Sequence, residues 1–219
     1  MKKFSTMATL LVLLIVAIPL VYAAIIYPGL PHTIPIHFGA NGKPDGFGSK
    51  DNLWFSTGLL CVVALGVYFL MSALPKIDPK NKAGRSPDVY RKIAFVVVIF
   101  LTGINVTIVS SMKGDTLALN HFLLPLMGLF FAVLGNYMHS IKPNYFVGFR
   151  TPWTLESEDN WRKTHQLVSK IWVPGGLLIT IATFFLPMEL GIFVLLIVLI
   201  PMIAIPAVFS YRYYKKHGV

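Results

Sequence analysis

Two clusters of polar residues in this 219-residue chain have types and spacings that suit chemistry. The first reads His37-x3-Asn41-Gly42-x2-Asp45-x4-Lys50. The second reads Asn144-x3-Gly148-x-Arg150-Thr151-Pro152-Trp153 and continues as Trp161-x2-Thr164-His165. Imidazole and carboxylate side chains together raise metal binding, with His32 and His121 as further candidates beside His37 and Asp45. Their spacing matches no tight zinc motif such as His-Glu-x-x-His, so no metal is expected. No Gly-x-Ser-x-Gly and no paired glutamates supply a nucleophile or an acid and base, so neither an enzyme nor a cofactor is expected. Cys61 is the single cysteine and lies in an apolar run, which excludes an intramolecular disulfide and a multi-thiolate site. Recognition is the chemistry left to both clusters.

The elements that must position these residues are hydrophobic to an unusual degree. Of the whole chain 55% is hydrophobic and 13% charged, about half the charged content of an ordinary soluble domain. Uncharged apolar runs occupy Met7–Tyr27, Leu53–Leu74, Ile93–Met112, Leu119–Met138, Ile171–Leu186 and Leu190–Tyr211. Most are about 20 residues long, which at 1.5 Å per residue matches the ~30 Å hydrocarbon core of a bilayer. The expected fold is all-α: a polytopic six-helix membrane bundle forming one domain, with helices over about 5–27, 53–74, 93–112, 119–138, 158–186 and 190–211. The fifth run is short and holds Pro174, Gly175 and Gly176, so its helix must begin before Lys170. The first run follows Lys2 and Lys3 like a signal peptide, but it continues through Ala24, Ile25 and Ile26, which fits a retained helix.

Charge then orients the bundle. One set of loops carries sixteen of the nineteen Lys and Arg residues; the other carries only Lys43, Lys50 and Lys113. By the positive-inside rule the rich side is cytoplasmic, with both termini. The formal net charge of +10 reflects this topology and attraction to anionic lipid rather than direct nucleic-acid binding. Inside the runs the strongly polar groups are few, chiefly Thr102, Asn105, Thr107 and Asn136. A pump or coupled carrier needs intramembrane charge, and no repeat relates the two three-helix halves, so a transporter is disfavoured. Asn105 is expected to bond between helices.

The clusters fall on two long loops at opposite faces, 28–52 outside and 139–170 inside. Four Pro and five Gly among residues 28–52 exclude a helix and favour turns at Asn41-Gly42 and Pro44-Asp45-Gly46. Ile34, Ile36 and Phe38 alternate with Pro35 and His37, which predicts a short ribbon with one apolar face against the bundle mouth. In the turn, Asp45 is expected to accept backbone N–H bonds beside an outward His37 and Lys50. On the inner loop, Ser157 predicts an N-cap ahead of Glu158 and Asp159. Trp161, Thr164, His165 and Val168 then share one helix face. Composition favours an interfacial helix with Trp153, Trp161 and Trp172 at the headgroup level. Arg150-Thr151-Pro152-Trp153, in a stiff turn before that helix, is more specified than lipid contact requires.

These residues together resemble the SdpI family of bacterial membrane immunity and signalling proteins. The resemblance rests on Ile34-Pro35-x-His37-x4-Gly42-x2-Asp45-Gly46-x3-Lys50, on Leu74-Pro75-Lys76-Ile77-Asp78-Pro79, and on Asn144-Tyr145-x2-Gly148-x-Arg150-Thr151-Pro152-Trp153-Thr154-Leu155 with Trp161-x2-Thr164-His165. It extends over nearly the whole chain, and the inner motif is the more specific. The sequence departs from the family at Gly39, where Asn is frequent, and at Val168-Ser169, where a Gly pair is common. The resemblance implies a six-helix protein of the bacterial plasma membrane that protects its cell from a secreted peptide toxin, bound at the outer face. For some members it also implies that a cytoplasmic DNA-binding repressor is held at the inner face. On that basis His37, Asn41, Gly42, Asp45 and Lys50 are the candidate outer residues. Asn144, Gly148, Arg150, Thr151, Pro152, Trp153, Trp161, Thr164 and His165 are the candidate inner ones. Pro19, Pro125, Pro174, Pro201 and Pro206 mark helices able to bend between two arrangements. A peptide exporter or channel is the alternative, and it would need Asn105, Thr102 and Asn136 to line a polar path.

Overall fold

In a bilayer core a long uncharged stretch finds no hydrogen-bonding partners but its own backbone, so each folds as a helix that satisfies itself. The computed structural model describes residues 6–77, 87–114 and 116–217. Among these, the helices are α1 (Thr6–Ile26), α2 (Asn52–Ile77), α3 (Pro87–Met112), α4 (Thr116–Met138), α5 (Pro152–Glu156), α6 (Glu158–Phe185) and α7 (Met188–His217). All but α5 are long and apolar enough to cross a membrane, giving six spans and a multi-pass membrane protein. Large apolar side chains such as Leu14, Phe55, Val62, Phe185 and Ile197 face outward, as lipid contact requires. Lys2, Lys3, Lys80, Lys82 and Arg85, and the Asp78-Pro79 end of the exit motif, lie outside the described residues.

The spans pack as two groups of three, α1-α2-α3 and α4-α6-α7, joined along α3 and α4. In the first group Val12, Val16, Cys61, Tyr68, Ala94 and Val98 interlock. Asn105 of α3 donates its amide to the Thr57 carbonyl of α2 at 3.1 Å, the interhelical bond expected of it. In the second group, α4 and α6 meet almost backbone to backbone. A Cβ on Gly128 would lie 2.5 Å from the Thr180 nitrogen, and one on Gly176 would lie 2.4 Å from the Ala132 nitrogen. Small residues permit this approach, which in lipid supplies the dispersion contact that water exclusion cannot. Pro206 lacks the N–H that the Met202 carbonyl would accept one turn earlier; the Trp172 indole N–H of α6 donates to that carbonyl instead, at 2.9 Å. Trp172 is therefore half-buried and tied to α7 by its indole N–H.

Between α1 and α2 the chain makes a 3-10 turn at Tyr27–Gly29 and then an antiparallel hairpin of β1 (Thr33–Phe38) and β2 (Pro44–Ser49). The expected ribbon is thus present, but register irregularities on either side of His37 break its alternation. Ile34 alone is fully buried, against Ala23, Leu53, Val109 and Met112, whereas Ile36 is exposed. One side chain, not a continuous apolar face, seats the hairpin on the bundle. Three spans separate the hairpin from α5, so the two lie at opposite ends.

Candidate functional site

At the α5 end the segment 139–151 has no regular structure, and Asn144 organises it. Its Nδ2 donates to the carbonyls of Lys142 at 2.8 Å and Val147 at 2.9 Å. Its Oδ1 accepts the N–H groups of Phe146 at 2.8 Å and Val147 at 2.7 Å. One buried amide thereby replaces the missing secondary structure. The turn delivers Gly148 at φ 122°, a left-handed conformation that side chains resist. A Cβ there would also lie 2.5 Å from His165 Nε2.

That crowding exists because the next backbone N–H, of Phe149, donates to His165 Nε2 at 3.0 Å. An accepting Nε2 carries no proton, so Nδ1 holds it and donates to the Trp161 carbonyl at 2.8 Å. The imidazole stacks on the Trp161 ring at 4.1 Å, and the indole N–H donates to the Ile141 carbonyl at 2.8 Å. Trp161, Thr164, His165 and Val168 all point into the protein, on the face their spacing gave them. Trp161 is packed inside the protein rather than presented to lipid, because its ring and its N–H are both used internally.

Thr151 and Thr154 then close a reciprocal capping box, with Thr151 N–H donating to Thr154 Oγ1 at 2.9 Å and Thr154 N–H to Thr151 Oγ1 at 3.2 Å. Pro152 opens α5 inside that box, where a missing N–H costs nothing. Ser157 caps α6 as expected, accepting the Asn160 N–H at 3.3 Å. Asn160 itself was not singled out by the sequence, yet it joins three parts. It donates to the carbonyls of Trp153 at 3.2 Å and Ser210 at 2.9 Å, and accepts from Thr164 Oγ1 at 3.0 Å. Its position one turn before Thr164 was the available signal. Trp153 packs edge-on against Tyr211 at 5.3 Å. Arg150 and Pro152 are exposed, with the Arg150 guanidinium donating to the Tyr145 carbonyl.

At the hairpin end the candidate residues face solvent. Asn41 Oδ1 accepts the Lys43 N–H at 3.0 Å and the Gly42 N–H donates to the Gly39 carbonyl at 2.9 Å, which fixes the tip. Asp45 does not take the backbone role expected of it; its Oδ1 meets His37 Nδ1 across the strands at 2.5 Å. The side chains are 73% and 53% exposed, so the pair is available to a ligand. Lys50 Nζ lies over the Tyr27 ring at 4.6 Å. Tyr27 donates its hydroxyl to Asp51 Oδ1 at 2.5 Å, and Ser49 Oγ donates to Asp51 Oδ2 at 3.2 Å. The Tyr27 hydroxyl above all, then Ser49, holds the Asp51 carboxyl below the usual carboxylate range. Neither Tyr27 nor Asp51 was a candidate from sequence, since their pairing spans 24 residues. Among the described residues no three His, Cys, Asp or Glu side chains gather where they could hold a metal ion.

Beside the hairpin end, α1, α3, α4 and α6 line an open apolar cleft of about 990 Å³. Tyr22, Ser110 and His121 contribute polar groups to it, and Pro125, Leu126 and Phe184 apolar ones. Asn105 spends its amide on α2 and Asn136 is exposed on α4, so these two do not share a path.

Residues 140–211, which contain Asn144, α5 and Trp161 to His165, match the model of the SdpI/YfhL protein family. Residues 14–65, which contain the hairpin, match a domain of unknown function, DUF1648. Over 205 residues the chain is 27% identical to "Immunity protein SdpI" of Bacillus subtilis, covering 93% of this chain and 94% of that one. A shorter stretch of 41 residues is 48% identical to an uncharacterized protein of Archaeoglobus fulgidus, covering 19% of this chain and 22% of the other. No solved structure matches the chain.

Proposed function

We propose that the chain is a member of the SdpI/YfhL family and an immunity protein that binds a secreted antimicrobial peptide toxin at the outer face of a bacterial plasma membrane. The observation that carries this is the near full-length similarity to an immunity protein, which takes in the hairpin and the α5 end together. The His37 and Asp45 pair, with Asn41, Gly42 and Lys50 around it, meets the polar part of the toxin. Its apolar part enters the cleft between α1, α3, α4 and α6.

The other face carries the second half of the proposal, a docking surface for a cytoplasmic DNA-binding repressor. Asn144, Gly148, Trp161, Thr164 and His165 set its shape from within, while Arg150 and Pro152 are the parts a partner meets. Toxin shifts that surface only if it binds one arrangement of the bundle more tightly than another. Both termini are cytoplasmic, in keeping with the loop charges.

Expression in toxin-sensitive cells tests the first half. Asp45→Ala that reaches the membrane normally loses protection; if it and Arg150→Ala both protect like the unaltered chain, the assignment of both sites fails. Labelling tests the orientation. In a Cys61→Ala background, His37→Cys reacts with an impermeant maleimide added outside and Trp153→Cys only after the cells are opened. Reaction of both from one side overturns the proposal.

A further inference from the structure

A second cleft, of about 870 Å³, opens between α6 and α7 at the α5 end. Its lining changes character along the helix axis. On α7, Ala204, Ile205, Val208 and Phe209 form an apolar stretch, followed on the same face by Arg212 and Lys216. At 1.5 Å per residue the cations stand about 10 Å beyond the centre of that stretch, the order in which a lipid presents acyl chain and then phosphate. Leu167 closes the α6 side and Lys163 borders it.

The charges on the rim are not equivalent. Lys163 Nζ lies 3.5 Å from Asp159 and 4.8 Å over the Tyr213 ring. Asp159 also holds Arg162 and receives the Tyr213 hydroxyl, so the nearest carboxylate is consumed. His217 stacks on Tyr213 at 4.0 Å. Arg212 and Lys216 are exposed and have no carboxylate partner among the described residues. Two uncommitted cations one turn apart, above an apolar groove at the end of a membrane span, complement a phosphodiester carrying hydrocarbon chains.

We propose that this groove is a specific site for an anionic phospholipid, whose phosphate sits between Arg212 and Lys216 while one acyl chain lies against Leu167, Val208 and Phe209. A free anion would meet only the rim, and a zwitterionic lipid would bring its own ammonium to the two cations. The site therefore needs net negative charge and hydrocarbon together.

The test uses the full chain purified in detergent, with thermal stability followed as dioleoyl phosphatidylglycerol, dioleoyl phosphatidylcholine or inorganic phosphate is added. Phosphatidylglycerol raises the melting temperature saturably and the other two do not. The Arg212→Gln/Lys216→Gln variant needs about tenfold more phosphatidylglycerol or worse for the same effect. Lys142→Gln/Lys170→Gln removes equal charge at the same end and keeps the response. Val208→Trp fills the groove without touching charge and weakens it, which keeps the test decisive if the double variant folds poorly. An equal response to phosphatidylcholine or to phosphate overturns the proposal, and so does an equal loss in the control variant.

Discussion

His37 and Asp45 at the hairpin end are 73% and 53% exposed, whereas Asn144, Trp161, Thr164 and His165 at the α5 end are at most 1% exposed. Both ends carry dense polar motifs, and the contrast shows that a motif's specificity has two sources. The hairpin is short, seated by Ile34 and the Tyr27 to Asp51 bond, and its polar side chains are free to meet something else. The α5 end must hold thirteen irregular residues, 139–151, against the surrounding helices with little regular hydrogen bonding. It uses its polar side chains on its own backbone. At one end the motif is a surface; at the other it is the scaffold beneath a surface.

The largest effect that would break this contrast belongs to Gly148. Substitution Gly148→Ala combines a positive φ with a Cβ 2.5 Å from His165 Nε2, and is expected to destabilise by about 3 kcal/mol or more. The check is thermal denaturation of the purified protein in detergent, read from the monodisperse size-exclusion peak. Survival of that peak to the normal temperature would mean that the α5 end is not the rigid scaffold described. Next comes Asn144→Ala, which strips partners from two N–H groups and two carbonyls. Its expected cost is about 2 to 3 kcal/mol, since water reaches some of the freed groups. The same assay measures it.

At the hairpin the expectation reverses. His37→Ala and Asp45→Ala are each expected to change stability by about 0.5 kcal/mol or less, because an exposed pair contributes little. Protection against toxin should nonetheless fall. Denaturation curves beside a killing assay check both at once, and a large stability loss in either variant would erase the distinction between the ends.

How much of this was legible in the sequence follows from the same contrast. The spans were, because an apolar run of bilayer length has few alternatives, and so was the Ser157 cap with the face of α6 behind it. The short ribbon was legible in Ile34, Ile36 and Phe38, but its irregular register was not, so the alternation overstated what is buried. The destination of Trp161 and Trp172 was missed because their acceptors are backbone carbonyls of Ile141 and Met202, which no residue type announces. Asn160 was passed over as one polar residue among many in the first turn. Only the folded chain brings Trp153 and Ser210 to it.

The smallest effect sharpens the comparison from the hairpin side. The Asp51 carboxyl has its pKa lowered by the bonds from Tyr27 and Ser49, so the folded state favours its ionised form. A group of this kind stabilises fully above its unfolded pKa and loses that contribution as pH falls through the lower folded value. The joint between the hairpin and α2 should therefore hold from neutral pH to about pH 4 and loosen only below it. Trp54, whose ring lies 5.5 Å from Tyr27, is placed to report the change in its fluorescence. Asp51→Asn should make that signal flat across the acid range, while Asp45→Ala leaves the transition in place. At the α5 end the bonds of Asn144 involve no titrating group, and acid acts there through His165, whose Nε2 loses the Phe149 N–H once protonated; a size-exclusion profile whose acid collapse is abolished by Asp51→Asn would mean that the two ends unfold as one unit.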